Sequence, residues 1–543
     1  MDRRWPNLRM LLVVVLPLLS YPLSWLPLSF VPFRFNVVLP IAAAFLVAAL
    51  FFLTRTCLEG CVTLPPTNVL LPLGGVFVSS LLSTRFSQNP GISVTALPVL
   101  AGNLAIFIAA ASAAEDRLAR LFWYWLGAGV LVALNGLVRI GHGEFLSTIG
   151  NRNFLAVYLA VSVCIGVSLW DRRAAIASVV LIIAMCFCDS RGAWIALGIT
   201  TTLWLLVGRN ANRFWRILVA TLVIVAGGIF VWPYLIEQWR VDVRPPIWKG
   251  TLGMIAARPS LGHGLKTFEI EYAKFRLPEY FLRLKATNLT DHAHNELLEI
   301  AAEQGIFGLA TTLWLWVTAA WADATTWRNS NASLRRLRLG LLAATAVFIL
   351  HGMVDVDLRY PPNQPLLWIL LGLLVSGNRR SPTVLRLNSK ASRGILATAC
   401  IFVAAVVTVE SVARPVWADI WERKARIAEA RNDLVAAAQA AGRSLEIQPL
   451  RLGTRYFLAG VLARIPTEEA RAQAIEECLR LEALAPDYGD ITFNLGQLYL
   501  VEGRPGDALP YLRRAVEINP YNTQRRAVLA RALAEVGQSD EAP

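Results

Sequence analysis

The sequence predicts an all-α protein, a polytopic transmembrane helical bundle followed by a C-terminal α-solenoid, and three observations carry that prediction. Hydrophobic residues make up 55% of the 543, 18 of them tryptophan, against 17% charged, more apolar surface than a soluble core can absorb. Runs of roughly 18 to 22 apolar residues recur from Met10 to about Ala413, each about long enough to cross a bilayer while satisfying its own backbone hydrogen bonds. Beyond residue 415 the chain turns polar and shows a repeating pattern of small residues and prolines.

The predicted spans, about thirteen in a range of 12 to 14, cover 10 to 29, 35 to 53, 67 to 83, 94 to 114, 119 to 138, 153 to 170, 174 to 188, 192 to 208, 215 to 235, 303 to 322, 338 to 354, 364 to 377 and 394 to 413. Arg3 and Arg4 precede the first run, but no clear small-residue cleavage site follows it, so it is expected to be an anchor rather than a signal peptide. The boundaries give four segments: helices 1 to 9 over 1–235, a large loop over 236–302, helices 10 to 13 over 303–414, and the repeat domain over 415–543.

The net charge of +14 falls between spans rather than on one soluble face, which argues against nucleic acid as a partner and for lipid. With a cytoplasmic N-terminus, the inward loops hold Arg172, Arg173, Arg209, Arg213, Arg216, Arg328, Arg335, Arg336, Arg338, Arg379 and Arg380, the bias that membrane insertion favours. The same count places all five histidines, and the repeat domain, on the outer side. The seven cysteines form no framework; Cys57 and Cys61 are expected to be free thiols rather than metal ligands.

In the tail, Leu495, Gly496, Tyr499, Gly503, Ala508, Leu512, Ala515 and Pro520 keep the spacing of a tetratricopeptide repeat, with Thr492 where a tryptophan usually leads. Looser copies hold Gly460, Ala474 and Pro486, then Ala437 and Pro449, so three units build a small solenoid. Such arrays bind peptides or partner proteins.

The outward segments hold the chemistry. His142, Arg152 and Asn153 lie in one loop, and Asp189-Ser190-Arg191-Gly192 is a tight turn that puts a cation on the side insertion disfavours. The large loop contributes Arg244, Trp248, then Pro259-Ser260-Leu261-Gly262-His263-Gly264-Leu265-Lys266, and closes on Asp291-His292-Ala293-His294-Asn295-Glu296. Helical spacing sets Glu296, Glu299 and Glu303 on one face. A late turn carries His351, Asp355, Asp357 and Arg359. His292 and His294 supply only two zinc ligands with no third fixed in sequence, so no metal is expected there. The Asp355-Val356-Asp357 pair resembles the metal site of sugar-nucleotide enzymes, but faces outward, where hydrogen bonding to sugar or to Arg359 is expected instead. The glycosylation sequon at Asn288 is set aside.

Together, the Ser190-Arg191-Gly192 turn, Arg244 with Trp248, the Pro259-Gly262-Gly264-Phe268 segment and His292-x-His294-Asn295 before Glu303-x-Gly305-x-x-Gly308 resemble the bacterial O-antigen ligase and polymerase superfamily over about residues 135 to 375. Isoleucine at 195 stands where the ligase pattern has leucine. The resemblance implies a GT-C-like fold, an undecaprenyl-pyrophosphate-linked glycan as donor, and transfer to a hydroxyl on lipid A core, a growing polysaccharide or a protein. It places the site and the repeats in the periplasm, on a bacterial inner-membrane protein. By match, His294 is the essential base and Arg191 and Arg244 contact the pyrophosphate; His292, Asn295, His263, Lys266, Asn153, Arg152, His351, Asp355 and Asp357 are expected to bind substrate, with no cofactor.

The chemistry suits these residue types on its own terms. An alcohol is a poor nucleophile at neutral pH, and histidine can accept its proton as attack develops. A leaving pyrophosphate needs cations rather than a proton, and guanidinium groups contact phosphate oxygens in pairs. A polymerase or a protein O-oligosaccharyltransferase is the alternative within this class. A transporter for the lipid-linked glycan is the alternative outside it, but the expected mid-membrane ionisable groups and repeated halves are not evident in the sequence.

Overall fold

The computed structural model describes residues 48–50, 53–112, 115–139, 151–207, 242–283, 290–328, 330–359, 363–376 and 383–541. The expected spans at 10 to 29 and 215 to 235, most of 35 to 53, and His142 with its loop to residue 150 lie outside the described residues.

Within them the fold is helical. Helices α1 (Thr67–Arg85), α2 (Pro90–Ala111), α3 (Leu118–Arg139), α4 (Arg152–Ser168), α5 (Arg172–Cys186) and α6 (Arg191–Val207) precede the large loop. The loop holds α7 (Arg244–Ala257) and two short helices, α8 (Phe268–Glu271) and α9 (Glu279–Arg283). After it come α10 (Glu296–Arg328), α11 (Ala332–His351), α12 (Gln364–Val375) and α13 (Lys390–Thr408). Asn151 and Asp171 cap α4 and α5, each side chain accepting two backbone N–H groups that the first turn leaves unbonded.

Apolar residues all around α4 and α12 explain their position at the centre, packed by α3, α5, α11, α2 and α10. Trp125, Tyr158, Phe107, Phe122 and Phe348 are the largest apolar side chains sealed in this core. Among the described residues, five helices are long and apolar enough to cross a membrane: Thr67–Arg85, Pro90–Ala111, Glu115–Val138, Glu296–Trp327 and Lys390–Ala430. The expectation of a full crossing at 364 to 377 is corrected, because the 12 residues of α12 extend only about 18 Å and are buried inside the bundle.

Two further differences from the sequence reading concern the end away from the histidines. Strand β1 (Cys61–Leu64) pairs antiparallel with β2 (Thr383–Arg386), tying together two segments that the sequence reading places between expected spans. Arg338, expected as a surface charge, is fully buried: it binds Asp323 at 2.9 Å, Glu115 at 2.8 Å and the carbonyls of Leu373 and Leu374. A buried guanidinium persists only when most of its donors find acceptors, and here they fasten the ends of α10, α11 and α12 together. All seven cysteines are free thiols.

The tail is the expected solenoid. Its helices are α14 (Arg414–Ala430), α15 (Leu434–Ile447), α16 (Leu452–Leu462), α17 (Glu468–Leu484), α18 (Ile491–Val501), α19 (Pro505–Ile518) and α20 (Thr523–Glu535), each packed on the next. A methyl group on Gly496 would meet the Leu512 side chain at 2.5 Å, the close approach that the repeat pattern demands; around Gly460 there is open space, matching the looseness of that copy. Helix α13 runs into α14 without a break, through a wider π turn at Val409–Ala413. Pro415 brings no N–H and crowds the preceding turn, and the widened turn accommodates it.

Candidate active site

Helix ends meet at the histidine end of the bundle: the N-termini of α4, α6, α7, α10 and α12 and the C-terminus of α11. Their hub is the turn from His351 to Arg359. Glu296 N–H donates to the Gly352 carbonyl at 2.8 Å, and the Asn295 amide to the Met353 carbonyl at 2.8 Å. Asn153 Nδ2 donates to Asp355 at 2.7 Å from the start of α4. Gly192, beside Arg191, fits against Val354 and the His351 ring so closely that a methyl group would lie 2.9 Å and 3.1 Å from them.

His294 stands in a left-handed backbone conformation (φ 50°), which costs a non-glycine residue energy and is retained only where its surroundings enforce it. Its Nδ1 is buried and 3.7 Å from Asp355 Oδ1, an ion-pair distance longer than a hydrogen bond, while 32% of the side chain remains exposed. The cap of α10 is Asn295, whose Oδ1 accepts from Leu298 N–H, so His294 is not the capping residue. Burial pushes the Asp355 carboxyl up, yet His294 and His351 outweigh it and hold it below the usual carboxylate range. His351 Nδ1 makes a short bond to Asp357, and both are sealed from solvent. Burial drives the Asp357 carboxyl upward, against the pull of that imidazole.

His292 turns the other way. Its Nδ1 is 2.8 Å from Glu299 Oε1, whose second oxygen accepts from Ala293 N–H at 2.8 Å. Burial lowers the imidazole's proton affinity, but the Glu299 charge prevails and raises its pKa to about 9. His292 is therefore an imidazolium at neutral pH. The two histidines of His-x-His address different carboxylates, and among the described residues no three His, Cys, Asp or Glu side chains group to hold a metal ion.

The glutamate face of α10 is as the spacing predicts, and its partner is Arg359: Nε lies 3.3 Å from Glu296 and 3.6 Å from Glu299, and Nη1 bonds Glu303. The expected contact of Asp355 or Asp357 with Arg359 is corrected, since three carboxylates already enclose that guanidinium. Arg359 carries the same sequence signal as Arg191, a cation on the side that insertion disfavours.

Both candidate clamp arginines are first residues of helices, Arg191 of α6 and Arg244 of α7. Arg244 is close enough to His351 to act on it electrostatically and bonds Asp242 through Nη1 at 2.9 Å; its buried Nε–H finds no acceptor among the described residues. Arg152, exposed at the start of α4, acts on Cys188 in the turn leading to Arg191. Trp248 donates from Nε1 to the Ala293 carbonyl at 2.9 Å, pinning the segment between the two histidines.

Two candidates lie elsewhere. His263 is buried, with Nε2 2.9 Å from the Met254 carbonyl and Nδ1 3.7 Å from Glu271, so its ring holds the loop to itself. Lys266, exposed with φ 62°, acts on Glu269 rather than on the hub. The glycine motif around His263 serves backbone contact. His263 and Gly264 N–H groups donate to the Ala302 and Glu303 carbonyls at 3.0 and 2.9 Å, where Gly305 (φ 65°) breaks α10. A methyl group on Gly262 would lie 2.3 Å from the Glu303 carbonyl carbon, and one on Gly305 2.1 Å from the Ser260 carbonyl oxygen.

No curated protein matches the chain. A family model described as O-antigen ligase matches residues 176–313, which hold Arg191, Arg244, His292 and His294 but not the hub turn, and a tetratricopeptide repeat model matches 500–542. Residues 176–313 of the chain are thus similar to the O-antigen ligase family, and residues 500–542 to a tetratricopeptide repeat.

Proposed function

We propose that the chain is a membrane glycosyltransferase that moves a glycan from undecaprenyl pyrophosphate to an acceptor hydroxyl, at the periplasmic face of the bacterial inner membrane. The observation that carries the proposal is the setting of His294: strained backbone, Nδ1 turned inward toward Asp355, ring partly open, at a turn shared with the helix starts that bear Arg191 and Arg244. The ligase match gives this setting its chemical context.

In the reaction, a proton on His294 Nδ1 faces Asp355, which leaves Nε2 as the base. Nε2 takes the acceptor hydroxyl proton while that oxygen bonds the anomeric carbon, and the bond from that carbon to the pyrophosphate oxygen breaks. The attack is from the opposite side, so the configuration inverts. Asp355 stabilises the imidazolium that forms. Arg191 and Arg244 receive the charge arriving on the pyrophosphate, aided by the positive ends of α6 and α7. To do so Arg244 shares its guanidinium between Asp242 and a phosphate oxygen. His292, paired with Glu299, takes no proton in this step and remains a candidate for substrate binding. Guanidinium groups provide the positive charge, so the proposed chemistry assigns no step to a metal or cofactor.

Purified protein in liposomes, given undecaprenyl-pyrophosphate glycan with lipid A core, free glycan or a protein acceptor, is expected to form a new glycosidic bond to one of them and release the carrier pyrophosphate. Movement of the intact donor between leaflets with no new bond would replace this reading by transport.

A further inference from the structure

The short helix α8 has two faces that belong to different bodies. Phe268 stacks on Tyr272 (centroids 5.0 Å apart, 12° between planes) within the loop core that also holds Ala293, and its N–H donates to Glu303 at 3.3 Å. On the other face Ile270, 2% exposed, is packed with Ile92 in the apolar cluster of the solenoid, and the Tyr488 hydroxyl donates to Glu269 Oε1 at 3.0 Å. The helix is a wedge between the repeats and the turn that bears His292 and His294.

Tyr488 is presented by a strained turn between α17 and α18. Its neighbours Asp487 (φ 62°) and Gly489 (φ 60°) are both left-handed, and Arg514 holds the Asp487 carboxylate at 2.7 Å. Non-glycine residues keep such conformations where the surroundings fix them, often at functional contacts. From the loop side, the Asp291 carboxylate acts on both Glu269 and Tyr488, and Arg276, set over Tyr280 and Phe281, lies in the field of Asp487. Burial, then Asp291, holds the Glu269 carboxyl above its usual range, and the contact with Tyr488 is partly buried. The continuous helix from Lys390 to Ala430 gives the solenoid a direct connection to the bundle.

We propose that the repeat array takes the chain's own large loop as its partner, and that Tyr488, through Glu269 and α8, is a positioning residue for the His292–His294 turn. The positioning role rests on the glycosyl-transfer reading above; the contact itself does not. The turn from residue 290 to 295 has little regular hydrogen bonding of its own, and such segments open at low cost unless they are braced. Trp248 of α7 and Asn295, through the Met353 carbonyl, brace it by hydrogen bonds, and α8, backed by Tyr488, braces it by packing in the same apolar cluster as Ala293. Displacements of about 1 Å at a reacting group cost about 100-fold in rate, so a brace of this kind acts on turnover.

The test uses the full-length chain in lipid nanodiscs and two readouts, amide hydrogen exchange and steady-state transfer. Tyr488→Phe is expected to speed exchange across 268–276 and 290–296 and to lower kcat about three- to tenfold, the factor carried by one hydrogen bond, with donor KM unchanged. Glu269→Gln keeps an acceptor for Tyr488 and should behave as wild type, whereas Glu269→Leu should behave as Tyr488→Phe. Unchanged exchange in both segments, faster exchange confined to the repeats, or faster exchange with unchanged kcat would overturn the proposal. Should wild-type protein transfer no glycan, the positioning role falls with the function, and the exchange comparison decides the docking contact alone.

Discussion

Replacing Asp355 with asparagine removes the charge that faces His294 and one of two acceptor oxygens. Asp355 Oδ2 accepts from Asn153 and Oδ1 from Val356 N–H, and the amide oxygen can keep the bond to Asn153, so the hub turn should persist with one local hydrogen bond fewer. At the 3.7 Å that separates His294 Nδ1 from Asp355, two unit charges attract by about 1 kcal/mol under full water screening and by about 4 kcal/mol at an effective dielectric of 20. With 32% of the His294 side chain exposed, the lower part of that range applies, about 1 to 2 kcal/mol. The attraction develops as the imidazolium forms, in the transition state rather than in the ground state, so it acts on kcat. Asp355→Asn is expected to slow transfer about 5- to 30-fold at unchanged donor KM, read as released carrier pyrophosphate in liposomes. A wild-type kcat in a folded variant would refute the assignment of Asp355 as the carboxylate that stabilises the base.

Arg359→Met leaves the carboxylates of Glu296, Glu299 and Glu303 buried without their cation, and should cost about 3 to 5 kcal/mol in a detergent unfolding assay; adding Glu303→Gln should recover part of it, and a variant as stable as wild type would contradict the network. Glu299 outweighs burial and raises the His292 pKa from the ordinary 6.5 to about 9, so their ion pair contributes fully below pH 6.5 and fades as pH rises through about 9; His292→Gln should flatten the loss of stability between those pH values. Gly305→Ala forces a side chain into left-handed backbone and against the Ser260 carbonyl, at a cost of about 2 to 3 kcal/mol or more, whereas Gly74→Ala in α1 has nothing within 4 Å and should be neutral or stabilising in the same thermal melt.

Much of the architecture is legible in the sequence because it depends on local patterns. Apolar runs locate α1 to α6, α12 and α13 to within about five residues and α10 and α11 to within about seven, and the spacing of Gly496, Leu512 and Pro520 locates the repeat. The periodicity of Glu296, Glu299 and Glu303 is also local, and the structure keeps all three on one face. What the sequence withholds is partnership across long separations. Asn153 meets Asp355, Arg359 meets Glu303, and β1 meets β2 across more than three hundred residues, and nothing in either member of each pair points to the other. Arg338 reads as one more inward cation until the packing of α10, α11 and α12 buries it. His263 looks exposed and reactive between two glycines, yet those glycines are there to let backbone meet backbone, and the ring is buried as a result. The contact of Tyr488 with Glu269 is of the same kind, joining a turn in the repeats to a helix in the large loop.

The most direct measurement is single-turnover transfer by purified wild-type protein and by His294→Ala, with undecaprenyl-pyrophosphate glycan and the preferred acceptor. The account predicts that the alanine variant folds, inserts and binds donor with wild-type affinity, while bond formation falls about 100-fold to 10,000-fold, the contribution of a lost general base. Product formation by His294→Ala at close to the wild-type rate would contradict it.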